Sequence, residues 1–216
     1  MLKELRKFAL SLRNILGGHS SIDEIESLRS FVTSRSSYMA QVSLYGYLKA
    51  RAGTRYVSLI KDSLFASSMK TARNQIFFAC LIDLSLHVLK IIYIRKQKSF
   101  QNFDPFARQF FIQTLAKVPE EVFESQERDD VIMEFNKYLS SYNCNVIDDN
   151  RESFSGSCSA LLKWAPVVEE FKIQDEEIVS NSIHFKWLRV CQEFENLTNF
   201  ENIILENSQN LTDKNL

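Results

Sequence analysis

A chain of 216 residues, 45% hydrophobic and 25% charged, can bury a full core without metals or disulfides, which excludes a disordered tail and a disulfide-stapled miniprotein. Only 5 Gly and 3 Pro supply too few turns for many short strands and suit long helices. The net charge of −1 divides into +10 over residues 1–100 (16 Lys/Arg against 6 Asp/Glu) and −11 over 101–216 (10 against 21), so either the halves face and cancel or the basic half meets nucleic acid or membrane.

In the first 20 residues, Leu5, Phe8, Ala9, Leu12 and Leu16 recur at helical spacing until Gly17-Gly18, which predicts an N-terminal helix or extension. The apolar run there is too short for a secretory leader, and a cytoplasmic location is expected. Ser21-Ile22-Asp23-Glu24 reads as a capping box with Ser21 as the cap. The helix it opens carries Ile22, Ile25, Leu28, Val32, Met39, Val42, Tyr45 and Leu48 on one face, with a gap near Arg35 and a stop at Gly53. Gly46 inside it suggests close approach of a second helix.

After a linker over 54–62, a helix is predicted from Ser63 to Arg95. Between Ile76 and Ile94 only Asp83, Ser85, His87 and Lys90 interrupt an apolar surface, so the segment reads as a buried central helix or a membrane span; charge at its centre disfavours the span. Asp104-Pro105 predicts a cap and first helical position for a helix burying Phe106, Phe110, Phe111 and Leu115. Pro119 opens an acidic helix to about 141, broken near Ser125, with Val122, Phe123, Val131, Ile132, Phe135, Tyr138 and Leu139 inward.

Residues 143–156 read as a loop, followed by short helical pieces around 157–164 and 167–172. A strong helix is predicted over 175–195 with Ile178, Phe185, Leu188, Cys191 and Phe194 inward, and a frayed tail over 207–216. The fold class is therefore all-α, an irregular bundle of about six to eight helices in one domain over 21–206, with 63–95 at its centre and 21–52 against it.

Asp83 and His87 stand one turn apart on the same face of the apolar helix. A buried carboxylate needs a cation or donor, and Arg35, Tyr45, Tyr47, Arg51 and Arg55 on the preceding helix are the candidates. The pair is either a polar lock between helices or an acid/base or ligand site. No Gly-x-Ser-x-Gly elbow, phosphate loop or metal-ligand spacing is present; Ser153-Phe154-Ser155-Gly156-Ser157 has the wrong spacing for a nucleophile and reads as a loop entering a helix. Cys80, Cys144, Cys158 and Cys191 lack any paired spacing and are expected reduced, without metal or cofactor. Tyr45 to Tyr56 interleaves cations with aromatics, yet no basic patch dominates the chain, and nucleic-acid binding is not expected.

The run SRSSYMAQVSLYGYLKARAGTRY from Ser34 to Tyr56, with Ser182-Ile183-His184-Phe185-Lys186-Trp187, resembles a family of small uncharacterised helical proteins of alphaproteobacteria. That resemblance implies a bacterial cytoplasmic setting; some such chains carry an esterase label, for which this sequence has no nucleophile motif. The function expected is a non-enzymatic interaction or scaffold role with a protein partner or a second copy. The alternatives are membrane association through 76–98 and an unrecognised hydrolase or small-ligand binder.

Overall fold

A computed structural model describes residues 21–95, 103–123, 125–141 and 153–203; the expected N-terminal helix, most of the 143–156 loop and the tail lie outside them. The described residues hold seven α-helices, six of them packed around or beside one long apolar helix. They are α1 (Ile25–Ala52), α2 (Tyr56–Leu59), α3 (Ser63–Arg95), α4 (Phe103–Leu115), α5 (Ser125–Ser141), α6 (Ser155–Trp164) and α7 (Glu169–Leu197).

Helix α3 occupies the centre because its sequence leaves it no polar face. From Ile76 to Ile92 all residues but Ala79 and Ile91 are buried, including Asp83, Ser85, His87 and Lys90. It is the one described helix long and apolar enough to cross a membrane, and most of its apolar window is enclosed by neighbouring helices. Helix α1 covers one side, and α6 lies along another. Helix α7 closes over α1 and α6, while α4 and α5 pack on each other and on α3.

Helix α1 starts later than its sequence suggests. Ser21 is not the cap: Ile22 is held extended, its N–H donating to the Leu197 carbonyl at 2.7 Å and its own carbonyl accepting from Asn199 N–H at 3.0 Å. That short parallel bridge ties the start of the domain to the end of α7. The cap is Glu24, whose side chain and that of Ser27 satisfy each other's backbone amides in a reciprocal box. The far end stops at Gly53, whose φ of 53° suits glycine and whose N–H returns to the Lys49 carbonyl.

The inward face of α1 matches the expected one at Ile25, Leu28, Val32, Met39 and Leu48, with Ile22 buried just ahead of it, and departs from it at Val42 and Tyr45. Phe31, Leu44 and Tyr47 are buried with Leu28, Val32 and Met39, whereas Val42 and Tyr45 are only half-buried. Close approach to α3 comes from Ser36, Ala40 and Ser43, small residues at i, i+4 and i+7 that are fully or nearly buried. The Ser36 hydroxyl donates to the Cys80 carbonyl across that seam. Gly46 takes no part in it: it is exposed, and a Cβ there would meet nothing within 4 Å. Gly46→Ala is therefore expected to stabilise the fold by about 1 kcal/mol through helix propensity, read as a higher midpoint in urea unfolding.

Two further boundaries move. Helix α4 begins at Phe103, so Asp104 and Pro105 lie in its first turn rather than at the cap, and Asp104 favours the positive end of the helix. Residues 120–122 form a single 3₁₀ turn before α5, as the break near Ser125 predicts. Of the α5 residues expected inside, Val131, Phe135 and Leu139 are buried, Ile132 is half-buried, and Tyr138 is exposed. Phe135 stacks on Phe111 of α4 at a centroid distance of 4.0 Å.

Helix α7 is one uninterrupted helix where two pieces are expected, and its inward face agrees with the expected one at Cys191 and Phe194 but not at Ile178, Phe185 and Leu188. Val179, Ile183, Trp187, Val190, Cys191 and Phe194 point inward, while Ile178, Phe185 and Leu188 are exposed. The reason is Trp187, the largest side chain in the helix, which is fully buried and fixes the rotation of the whole element.

Two ion pairs join the basic and acidic halves of the chain across the α1–α7 seam. Buried Arg35 meets Glu193 with two guanidinium nitrogens, and Arg51 meets Asp175 in the same bidentate way. Two cations of the basic first-half helix are thus paired with carboxylates of the acidic second-half helix, Arg35 in the interior and Arg51 at the exposed end of α1.

Candidate functional site

Asp83 does not find its partner on α1. Arg35 and Arg51 are engaged with Glu193 and Asp175, Tyr47 donates its hydroxyl to Asp175 at 3.0 Å, Tyr45 is half-buried, and Arg55 is exposed. None of them is bonded to Asp83. Instead the carboxylate reaches the first turn of α6, where Oδ2 accepts the Ser157 N–H at 2.7 Å.

The physical reason lies in how α6 begins. Its cap position is Phe154, which has no side chain able to accept a backbone amide, and the first turn of any helix leaves amides unsatisfied. A carboxylate from the central helix supplies the missing acceptor. Contact this close requires Gly156: a Cβ there would stand 2.6 Å from Asp83 Oδ1 and 3.3 Å from its Cγ.

Ser157 extends the node to α7. Its hydroxyl donates to the Phe154 carbonyl and accepts Trp187 Nε1–H at 3.0 Å. Beside it three rings meet: Trp187 stacks on Phe154 at 4.4 Å, and His87 packs tilted against Phe154 at 5.1 Å. One cluster therefore joins α3, α6 and α7, and of the pair expected from sequence each member serves it differently. Asp83 caps a helix; His87 supplies a buried ring whose Nε2 has no hydrogen-bond partner.

Burial drives both groups toward neutrality. It raises the Asp83 carboxyl from 3.8 to about 7 against the opposing pull of the Ser157 N–H, with Glu134 adding to the rise. It lowers His87 from 6.5 to about 4, Lys90 contributing in the same direction. Near pH 7 the imidazole is uncharged and the carboxyl is shared between its two forms.

Asp83 also forms part of the wall of a cleft of about 330 Å³ between α3, α5 and α6. Asp130, Glu134 and Tyr138 of α5 stand on the opposite side, Phe78 and Ile82 line the α3 side, and Lys163 and Trp164 belong to α6. The volume suits a small molecule, and the lining could receive a cationic group beside the carboxylates and a flat apolar portion on the aromatics. His87 is absent from that lining, so the carboxyl and imidazole do not face one substrate together. Among the described residues no group of His, Cys, Asp and Glu is arranged to hold a metal ion.

The cysteines Cys80, Cys158 and Cys191 are free and buried. Burial raises all three thiols, Cys158 to about 11 and Cys191 to about 12, so they stay protonated and act as small hydrophobes. Cys144 lies outside the described residues.

Ser157, Gly156, Asp175, Glu193 and the α5 carboxylates were not among the sequence candidates. The nearest signal was the Ser-Phe-Ser-Gly-Ser string, which the structure places at the entry to α6. Comparison with known proteins adds no relative: no family model, curated protein or solved structure matches this chain.

Proposed function

We propose that this chain is a non-enzymatic interaction module of the cytoplasm that binds a protein through the outward face of α7. The observation that carries this reading is the location of the exposed large apolar side chains. Of thirteen among the described residues, five lie on α7 (Phe171, Ile173, Ile178, Phe185 and Leu188) and two, Trp164 and Val168, on the segment leading into it, so over half of the exposure falls on one stretch of chain, and concentrated apolar surface marks contact sites. Phe185 and Ile178 are the most open on that helix, at 73% and 71%.

Enclosure of α3 by its neighbours supports a soluble location, and the bacterial setting implied by the Ser34–Tyr56 and Ser182–Trp187 segments belongs to the same proposal. The site around Asp83 is consistent with it: a cap and a ring stack give the scaffold a rigid α6–α7 junction on which to present the face.

A photo-crosslinking amino acid placed at position 178 in cells is expected to give light-dependent covalent adducts larger than the chain. The same probe at exposed Lys61, in the turn before α3, is the control. Equal or no adducts at the two positions would overturn the proposal.

A further inference from the structure

The cleft between α3, α5 and α6 contains an acceptor that the fold leaves unused. Asp83 is only 6% exposed, and its two oxygens differ. Oδ2 accepts the Ser157 N–H at 2.7 Å, whereas Oδ1 has no hydrogen-bond donor among the described residues; the Ser157 hydroxyl gives its proton to the Phe154 carbonyl instead. A buried polar atom left unmet is costly. Asp83 and Gly156 both line the cleft, and Oδ1 stays uncovered on that side because Gly156 brings no Cβ, which would stand 2.6 Å from it.

The rest of the wall divides into an acidic rim and an apolar floor. On α5, Asp130, Glu134 and Tyr138 follow at four-residue steps and so share the stripe that faces the cleft, with both carboxylates exposed while Asp83 lies at depth. Glu134 acts on the Asp83 carboxyl, and both act on the Tyr138 hydroxyl, so the three groups converge in space. Lys163 is the one cation of the described lining, and its Nζ sits over the Trp164 ring, 5.2 Å from the centroid. Phe78, Ile82 and Val131 are buried and form the floor, where Phe78 is held by stacking on Phe123 at 4.8 Å. An anion would meet three carboxyl groups here, and a bare metal ion would gain nothing from the floor.

We propose that this cleft binds a small organic cation of the arylalkylamine class, its ammonium donating to Asp83 Oδ1 and its ring lying on the apolar floor. This does not depend on the α7 face. Oδ2 remains with Ser157 N–H, so the ligand and the α6 cap use different oxygens of one carboxylate and do not compete. A volume of about 330 Å³ admits one ring and a short arm, and the exposed acids of α5 favour entry of positive charge.

Phenethylamine is the probe, titrated calorimetrically into the purified full chain at about pH 8, above the value near 7 at which Asp83 ionises. Phenylethanol and phenylpropanoate carry the same ring on a neutral and an anionic arm. The amine is expected to bind at least about tenfold more tightly than the alcohol, and the anion not to bind. Asp83→Asn should weaken the amine by about tenfold or more and leave the alcohol unchanged, with circular dichroism intact. Ser159→Phe, at an exposed position of the lining, should fill the cleft and weaken both without lowering the melting temperature. Glu177→Gln, which removes an exposed carboxylate of α7 outside the lining, should change neither. The proposal is overturned by equal affinity for amine and alcohol, by amine affinity retained in Asp83→Asn or in Ser159→Phe, by an equal loss in Glu177→Gln, or by no amine binding up to about 10 mM.

Discussion

Gly156→Ala is expected to destabilise the protein by roughly 3 kcal/mol, the reverse of the gain expected from the same substitution at Gly46. In an open helix, Ala in place of Gly is favourable by about 1 kcal/mol. At Gly156 the new methyl carbon would lie 2.6 Å from a carboxylate oxygen of Asp83, whose other oxygen is held by Ser157 N–H. The side chain that must give way is Asp83, and moving it breaks the acceptor for Ser157 N–H. Overpacking costs typically about 1–3 kcal/mol, and loss of a hydrogen bond to a buried acidic group adds roughly 1.5–3 kcal/mol; together these exceed the propensity gain. Urea unfolding of the two glycine variants checks the sign. A cycle with Asp83→Ala checks the cause, since Gly156→Ala should cost little once the carboxylate is gone. If the cost persists in that background, the crowding lies elsewhere in the α6 entry.

Asp83→Asn is expected to stabilise the protein increasingly as pH rises from about 4 to 7. The folded carboxyl titrates near 7 and the unfolded one near 3.8, so across that window the native state holds a proton that the unfolded chain has released. The stability contributed by Asp83 is thus fully present below pH 3.8 and lost as pH climbs through about 7. At about 1.4 kcal/mol per pH unit the full difference is on the order of 4 kcal/mol, and Asn escapes it while its carbonyl can still accept from Ser157 N–H. His87 works in the other direction: held neutral, it contributes stability above 6.5 that is lost as pH falls through about 4. In the wild type the two trends oppose between pH 4 and 6.5, and in the variant the histidine trend stands alone. Buried Cys80 and Cys158 stay protonated throughout, leaving Glu134 as the neighbouring charge that moves the Asp83 value. Unfolding midpoints for both proteins at pH 4.5 and 7.5 measure the gap. A gap that does not change with pH would mean the carboxyl is not held neutral; a variant weaker at pH 7.5 would mean the α6 amides favour the charged form over burial.

What was legible in the sequence follows from period and composition. A stretch such as Ile76–Ile92, apolar on every side, has to be enclosed wherever it is folded, so α3 and its central place could be read in advance, as could the stops at Gly53 and near Ser125. Helix faces were less secure. In α1 and α7 apolar residues occur on more than one side, and the periodicity of Ile178, Phe185 and Leu188 is as good as that of Val179, Ile183 and Trp187. A single volume, that of Trp187, decides which set is buried, because only that rotation lets the indole fill the space beside Phe154 and donate to Ser157.

Asp83 shows the same division between local and distant information. That it must be satisfied followed from its apolar surroundings; which group satisfies it did not. The cations of α1 were nearest along the chain, but Glu193 and Asp175 compete for them from α7, and the uncapped amides of α6 reach Asp83 from 74 residues away. Composition and spacing suffice for the helical class, the buried axis and the requirement that its acid be met. Tertiary structure alone decided which face α7 turns outward and which glycine has no room for a methyl group, because both depend on distances between elements that helical spacing does not encode.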